Sequence, residues 1–169
     1  IIVSKEAWQA HQEARMPRYY FDLTKARNSL VQGLTSWTPA VSIFYGLNVA
    51  LNLMLAEGME NIYERHRRLA QKMRDGLKLI GLKFLAKDEK SASNTVTVFK
   101  VPPETEENEW VKKLAEYDMV IGRGTGEMLG HVLRVGHMGW VDDEYIDDVL
   151  ASILVSYREL SWQTSRCCH

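Results

Sequence analysis

The chain has 169 residues, 46% of them hydrophobic and 25% charged, and its formal net charge is −1. These values are typical of globular domains, so wholesale disorder is excluded, and one domain with room for a helical arm is expected. The near-neutral charge predicts neither nucleic acid nor a membrane surface as a partner. The longest apolar stretch, residues 40–56, is shorter than a membrane span and carries Ser42, Asn48 and Asn52, which favours a buried helix.

The two ends of the sequence offer little chemistry. Cys167 and Cys168 are adjacent and cannot join distant parts of a core, so we expect a reducing, cytoplasmic location. Together with His169 they lack the spacing of a zinc site, and no metal is predicted. Residues 1–3 read as the end of a strand with neither a methionine nor a signal peptide before them, which we interpret as the start of a fragment.

The first half of the chain is predicted to be helical. The helices are expected at residues 4–16, 23–32, 41–57 and 59–80. Ser4 is a suitable N-cap for the first helix, and Gly58 and Gly81 are suitable ends for the last two. The helix at 59–80 is amphipathic, and its cations, Arg65 among them, are expected on the outer face. The two histidines in the predicted helices, His11 and His66, lie among charged residues and are expected to be solvated.

The second half of the chain changes to the period of β-strands. Strands are predicted at residues 82–85, 94–101 and 119–121 and around Arg134, with helices at 107–117 and from Asp142 and Asp143 to about Leu160. Helices followed by the order β, β, α, β, β, α predict an α+β domain. Its small, mainly antiparallel sheet is expected to be covered by helices.

Arg134 is the most informative residue of this half. It lies in what reads as a short buried strand, with Val132 and Gly136 on the same face. Burying a guanidinium is costly unless an anion meets it, and its planar fork suits a carboxylate or a phosphate. One interpretation is an internal Asp or Glu partner, and the other is an anionic ligand.

Two loops are candidate phosphate sites. The glycine cluster at residues 122–126 lacks the spacing of a dinucleotide fingerprint and precedes a strand, so a hairpin-like loop is predicted there. The loop at 35–38 places hydroxyls and an indole before a long helix, where a phosphate can be held. The alternative is that Thr38 caps this helix, with Pro39 in its first position. The histidines and paired carboxylates form no catalytic set.

Several runs occur in the order found in one enzyme family. They are Val3-Ser4-Lys5-Glu6-Ala7-Trp8, Tyr19-Tyr20-Phe21-Asp22, Thr38-Pro39-Ala40-Val41-Ser42, Tyr45-Gly46-Leu47, Glu57-Gly58-Met59-Glu60-Asn61, Arg65-His66, Asn94-Thr95-Val96-Thr97 and Arg134-Val135-Gly136-His137-Met138-Gly139. In this order the chain resembles the C-terminal part of class V aminotransferases, in the alanine–glyoxylate and serine–pyruvate branch. These are pyridoxal 5'-phosphate enzymes of fold type I, the aspartate aminotransferase fold.

The resemblance implies roles for five residues. Arg134 would pair with the α-carboxylate of an amino-acid or 2-oxo-acid substrate. Thr38 would reach the cofactor phosphate of the neighbouring subunit in a homodimer, with Thr35 as a second such contact. Tyr19 and Asp22 are expected to pack between two domains, with no chemical role.

The resemblance also implies what the sequence lacks. The Schiff-base lysine, the aspartate facing the pyridine nitrogen and the ring-stacking aromatic have no counterpart here. Lys5 follows the place of that lysine and is not its equivalent, so no catalytic residue is predicted. Residues 1–38 are interpreted as a remnant of the large domain and an interface segment, residues 39–160 as the C-terminal small domain with its connecting helix, and residues 161–169 as a tail.

The predicted function is therefore that of part of an aminotransferase. It would move an amino group between a small amino acid (alanine or serine) and a 2-oxo acid (glyoxylate or pyruvate), and this fragment alone would be inactive. The alternative is a non-catalytic interaction module, or an associated subunit, that uses the same small-domain fold. A desulfurase or lyase is less favoured, because no cysteine loop accompanies Arg134.

Overall fold

The computed structural model describes residues 1–166, with side chains described through Trp162. The elements are α1 (Lys5–Glu13), α2 (Leu23–Val31), α3 (Val41–Glu57), α4 (Met59–Ile80), β1 (Val96–Lys100), α5 (Glu107–Ala115), β2 (Gly122–Arg123), a 3-10 turn (Gly126–Met128), β3 (Val132–Gly136) and α6 (Asp143–Arg166). The chain divides into two compact units, Ile1–Leu53 and Met54–His169, and the division falls inside α3.

Polar caps and one buried histidine organise the first unit. Ser4 Oγ accepts a hydrogen bond from the backbone N–H of Ala7 and begins α1, as predicted. His11 is buried and shares a 2.8 Å hydrogen bond with the Thr24 hydroxyl, so the prediction that it is solvated is wrong. Asp22 begins α2 by accepting from the N–H of Thr24 at 2.8 Å.

The bounds of α3 agree with those predicted from the sequence, but its burial does not. The helix was expected to be buried, and instead none of its residues is buried within the described chain. Side chains such as Phe44 and Leu55 are 60% and 77% exposed. Such an apolar helix is stable in water only when another surface covers it. Within the described residues no single helix qualifies as a membrane span, although α3 and α4 together, as a bent pair, satisfy the length and composition criteria.

The second unit is built on an antiparallel sheet with the strand order β1–β3–β2. Helices α4, α5 and α6 cover one face of it. The core contains Leu69, Met73 and Leu77 of α4, Trp110 and Leu114 of α5, Ile146 and Ile153 of α6, and Phe99, Leu133 and Val135 of the sheet. The predicted α+β class, with a small sheet covered by helices, is confirmed.

Two predicted strands are corrected. Residues 82–85 contribute only an isolated bridge between Phe84 and Phe99. Residues 119–121 are not a strand, and β2 comes directly after them. The chain leaves α5 through Asp118, whose φ of 54° is left-handed, and pairing with β3 begins only at Gly122.

The last helix begins as predicted and ends later. Asp142 caps α6 by accepting from the N–H of Tyr145 at 3.0 Å. Asp143 in its first turn pairs with Arg68 of α4 at 2.8 Å. The helix passes Leu160 and continues to Arg166. Cys167, Cys168 and His169 lie outside the described residues, so the predictions made for them stay predictions.

Candidate functional site

Arg134 lies in the middle of β3, the central strand of the sheet. It stands opposite Val98 of β1 and Gly122 of β2. The two flanking residues of β3, Leu133 and Val135, point into the helix-covered core, so Arg134 points to the other face. The sequence predicted a short buried strand here. Arg134 is exposed, because no described helix covers that face.

No carboxylate neutralises Arg134 in the described part of the chain. None of the ion pairs formed by residues 1–162 includes it. The internal Asp or Glu partner considered from the sequence is therefore absent from the described residues. A guanidinium with five free donors remains on the open face of the sheet.

A cleft of about 620 Å³ opens beside Arg134. Its walls come from the segment between α5 and β2, the end of β3 and the first turns of α6. Two carboxylates, Asp118 and Asp148, line the cleft, and neither pairs with Arg134. Tyr145 also lines it and donates a hydrogen bond to the Gly136 carbonyl at 3.2 Å, which ties the end of β3 to α6. The cleft has the size of a small-molecule site.

The turn after β3 is held by two residues of α4, Arg65 and His66, for which the sequence predicted no role at this site. Arg65 donates to the carbonyls of Gly139 at 3.0 Å and Val141 at 2.9 Å, and pairs with Glu57 at 2.6 Å. Hydrogen bonding to Glu57 raises the pKa of Arg65. Arg65 is thus not a free outer-face cation. Its long-range partners could not be read from helical spacing.

His66 of α4 completes the support of this turn. Its Nδ1 donates to the Ile62 carbonyl at 2.7 Å, and its Nε2 accepts from the N–H of Gly139 at 3.1 Å. These two bonds require the proton on Nδ1. The expectation that His66 is solvated is therefore wrong, since both ring nitrogens bind protein groups.

The loop at residues 35–38 belongs to the first unit. Thr35 Oγ1 donates to the Trp37 carbonyl at 2.7 Å, and Trp37 Nε1 donates to the Tyr20 carbonyl at 3.1 Å. The rings of Tyr20 and Trp37 stack with centroids 5.0 Å apart. Aromatic packing therefore gives this loop a defined shape. Thr38 is exposed, and its hydroxyl makes no hydrogen bond to the described residues.

The alternative role for Thr38 as a helix cap is wrong. Helix α3 begins at Val41, and the Ala40 carbonyl accepts from the N–H of Phe44 at 3.1 Å. Thr38 therefore lies two residues before the helix boundary. The structure brings Thr35 and Thr38 together in one loop, while Arg134 belongs to the second unit.

The glycine cluster forms the predicted hairpin-like connection between β2 and β3. A Cβ on Gly124 would lie 2.0 Å from the Met128 carbonyl oxygen, so only glycine fits there. Arg123 donates to the buried Glu107 and to Asn108, and it is a structural cation. Within the described residues no group of His, Cys, Asp and Glu could hold a metal ion.

Solved structures similar to this chain include aminotransferases. Pyridoxamine–pyruvate aminotransferase from Mesorhizobium loti matches with a TM-score of 0.85 at 30% sequence identity, covering 94% of this chain and 42% of that one. Alanine–glyoxylate aminotransferase from Nostoc sp. matches with a TM-score of 0.84 at 24% identity, and the match covers 91% of this chain and 42% of that one. The second likeness concerns the fold alone.

The family model described as aminotransferase class-V matches residues 21–139. The chain therefore belongs to the class V aminotransferase family, which confirms the resemblance. The L-aspartate–glyoxylate aminotransferase of Paracoccus denitrificans is 36% identical over 141 residues, 83% of this chain and 36% of that protein. A protein named soluble hydrogenase, small subunit, from Synechococcus sp. is 36% identical over 155 residues, which are 90% of this chain and 39% of that protein. The chain thus spans about two fifths of the length of these curated relatives.

Proposed function

We propose that this chain is the C-terminal portion of an aminotransferase that transfers an amino group from a small amino acid, alanine or serine, to glyoxylate or pyruvate. Relatives named as L-aspartate–glyoxylate and serine–glyoxylate aminotransferases, and as a pyridoxamine–pyruvate transaminase, support this reaction class and these acceptors. The observation that carries the proposal is Arg134, an unpaired guanidinium beside an open cleft.

Arg134 would bind the α-carboxylate of the substrate through two parallel N–H···O bonds. A bidentate pair fixes both the position and the rotation of a carboxylate, so it orients the Cα–H bond of the amino acid. The Arg65 and His66 contacts hold the turn that follows β3, and Tyr145 holds the Gly136 carbonyl. Together these contacts keep the strand end in place while the substrate binds.

Pyridoxal phosphate is the cofactor implied by the family, and it supplies the electron sink for reactions at the amino-acid Cα. Residues of the 35–38 loop fit its phosphate. The Thr38 hydroxyl is exposed and uncommitted among the described residues, so it can donate directly. The Thr35 hydroxyl must first give up its 2.7 Å bond to the Trp37 carbonyl. Thr38 is thus the stronger candidate for binding the cofactor phosphate. We assign no residue of this chain to covalent attachment of the cofactor.

A homodimer is part of the proposal. Its support is the exposed apolar surface of α3, together with the implied reach of Thr38 into a neighbouring subunit. The remainder of the protein and a second copy would cover this helix. A cytoplasmic location stays a proposal that rests on the adjacent cysteines, which lie outside the described residues.

Substitution of Arg134 tests the carboxylate assignment in the full-length protein. Arg134→Lys keeps the charge and removes the planar fork. Charge-assisted hydrogen bonds are worth about 1.5–3 kcal/mol, so kcat/KM for the amino donor should fall about 10- to 150-fold. Lys100→Gln is the matched control, because Lys100 is an exposed cation on the same face of the sheet. Unchanged kcat/KM for Arg134→Lys would reject the assignment.

A second candidate is an associated subunit that keeps the fold without the chemistry. The observation in its favour is the relative named as a soluble hydrogenase subunit. The two candidates separate on cofactor binding by the full-length protein. Visible absorption from bound pyridoxal phosphate that shifts when an amino acid is added supports the aminotransferase. A protein that binds no cofactor supports the subunit.

A further inference from the structure

Arg74 is a buried cation that the proposed reaction does not use. It lies on α4 and is only 6% exposed. Its Nη1 donates to the Ser93 carbonyl at 3.3 Å and its Nη2 to Gln71 Oε1 at 3.1 Å, while its Nε has no partner in the described chain. None of the ion pairs among the described residues includes Arg74. A buried guanidinium without an anion is costly.

The charged groups around Arg74 do not supply that anion. Glu89 pairs with Lys78 at 2.9 Å, and this hydrogen bond is the main reason that the pKa of Glu89 is lowered. Asp75 accepts from Gln71 at 2.9 Å. On the other side lies His137, whose pKa is lowered, chiefly by burial, so it is neutral at neutral pH. Arg74 also contributes to the lowered pKa of Glu89, but no carboxylate of the described residues hydrogen-bonds to its guanidinium.

A cavity of about 290 Å³ adjoins Arg74. The loop residues Ser91 and Ser93 line it, and Thr97 lines it from β1. The Ser91 hydroxyl donates to Asp88, and the Ser93 hydroxyl shares a hydrogen bond with Thr95. A water molecule occupies roughly 30 Å³, so the space is large enough for a small organic or inorganic anion. Of the residues that line the cleft beside Arg134, only Val96 also lines this cavity, so the two spaces are separate.

The outer edge of β1 forms one wall of the cavity. The N–H of Leu85 donates to the Val98 carbonyl at 3.0 Å, and beyond this bond Val96, whose N–H points away from β3, lines the cavity. An edge strand presents backbone N–H groups that its own sheet does not use. The unpartnered Nε of Arg74 and the outward N–H of Val96 are donors at this otherwise mostly apolar cavity, and a guanidinium takes an oxyanion as its strongest partner.

We propose that this cavity binds a small oxyanion, a carboxylate or a phosphate, on the guanidinium of Arg74. The anion would accept a hydrogen bond from the unpartnered Nε of Arg74. The site is independent of the proposed substrate site, so it stands or fails separately from the transamination proposal.

The test is calorimetric titration of the full-length protein carrying Arg134→Ala, which removes the other candidate anion site. Inorganic phosphate and acetate are titrated separately at constant ionic strength. Saturable binding of at least one of them, at one site per chain, is expected. Preference for one anion identifies which oxyanion the cavity takes. No saturable binding of either would overturn the proposal.

Two substitutions locate the binding. Arg74→Gln removes the charge and should weaken binding about tenfold or more. Ala92→Leu fills the cavity while keeping Arg74, so it should weaken anion binding comparably. If Arg74→Gln fails to fold, Ala92→Leu shows whether the anion binds in this cavity. Arg67→Gln is the control, because Arg67 is exposed on the same helix and pairs with Glu64. Binding that survives both Arg74→Gln and Ala92→Leu would reject the assignment.

Discussion

Gly122 lies directly opposite Arg134 in the ladder between β2 and β3, and a Cβ on Gly122 would lie 3.3 Å from the Cβ of Arg134 and 3.5 Å from its Nε. It would also lie 3.1 Å from the Arg134 carbonyl oxygen, and the separations of 3.1 and 3.3 Å are tighter than ordinary packing. Glycine leaves this space free, so the arginine side chain can lie against β2 without displacement. Gly122 is therefore a positioning residue for the guanidinium.

This relationship predicts the effect of Gly122→Val in the full-length protein. The added side chain displaces the Arg134 side chain, and misplacing a binding group by about 1 Å can reduce catalysis by up to two orders of magnitude. We expect kcat/KM for alanine or serine to fall about tenfold or more, mostly through a higher KM. Steady-state kinetics measure this change. A variant with wild-type KM and an unchanged melting temperature would contradict the positioning role.

The buried pair of Trp110 and Ser156 predicts a stability effect. Trp110 Nε1 donates to Ser156 Oγ at 2.9 Å, and both residues are fully buried. Ser156→Ala leaves the indole N–H without an acceptor, which costs about 1–3 kcal/mol of unfolding free energy. Urea denaturation measures the loss. The control is Ser152→Ala on the same helix, where the half-buried hydroxyl bonds only to the Asp148 carbonyl, and a change within about 0.5 kcal/mol is expected.

His137 predicts how stability depends on pH. It is buried and shares a 2.8 Å hydrogen bond with Thr97, and burial lowers its pKa. The unfolded chain therefore takes up this proton before the folded chain does. Stability is unaffected by this group above the ordinary histidine pKa of about 6.5 and is lost as the pH falls below it. The slope reaches at most about 1.4 kcal/mol per pH unit for one group.

Comparison of His137→Gln with wild type between pH 7 and pH 5 tests this prediction. The variant should lose less stability on acidification, because glutamine does not take up a proton. His131→Gln is the matched control, since His131 precedes the same strand and is exposed. Equal acid sensitivity of His137→Gln and wild type would show that His137 is not the group responsible.

Local sequence signals predicted the helices well. Helices α3 and α4 have the predicted bounds, because Gly58 and Gly81 take positive φ values of 84° and 91° that end or begin helices. The strand containing Arg134 was also found, since alternating apolar residues mark it. These features depend on neighbours within a few positions along the chain.

Environments were predicted less well. The buried state of α3 and the outward direction of Arg65 were inferred from composition and spacing, and the structure contradicts both. His11 and His66 bind partners 13 and 73 positions away, at Thr24 and Gly139. The residue pattern of one helix or strand carries no information about which residue from a distant part of the sequence will contact it. The roles of Thr35, Thr38 and Arg134 in binding stay predictions.

The sequence by itself determined the α+β class, the family and the presence of an arginine in a short strand, because periodicity, glycine positions and colinear runs are written along the chain. Only the tertiary structure decided that Arg134 lies on the open face, that Gly122 leaves room for it, and that Arg74 is buried without a carboxylate among the described residues. The physical reason is that burial and charge pairing depend on contacts between segments far apart in sequence, which form only when helices pack on one face of the sheet and leave the other uncovered.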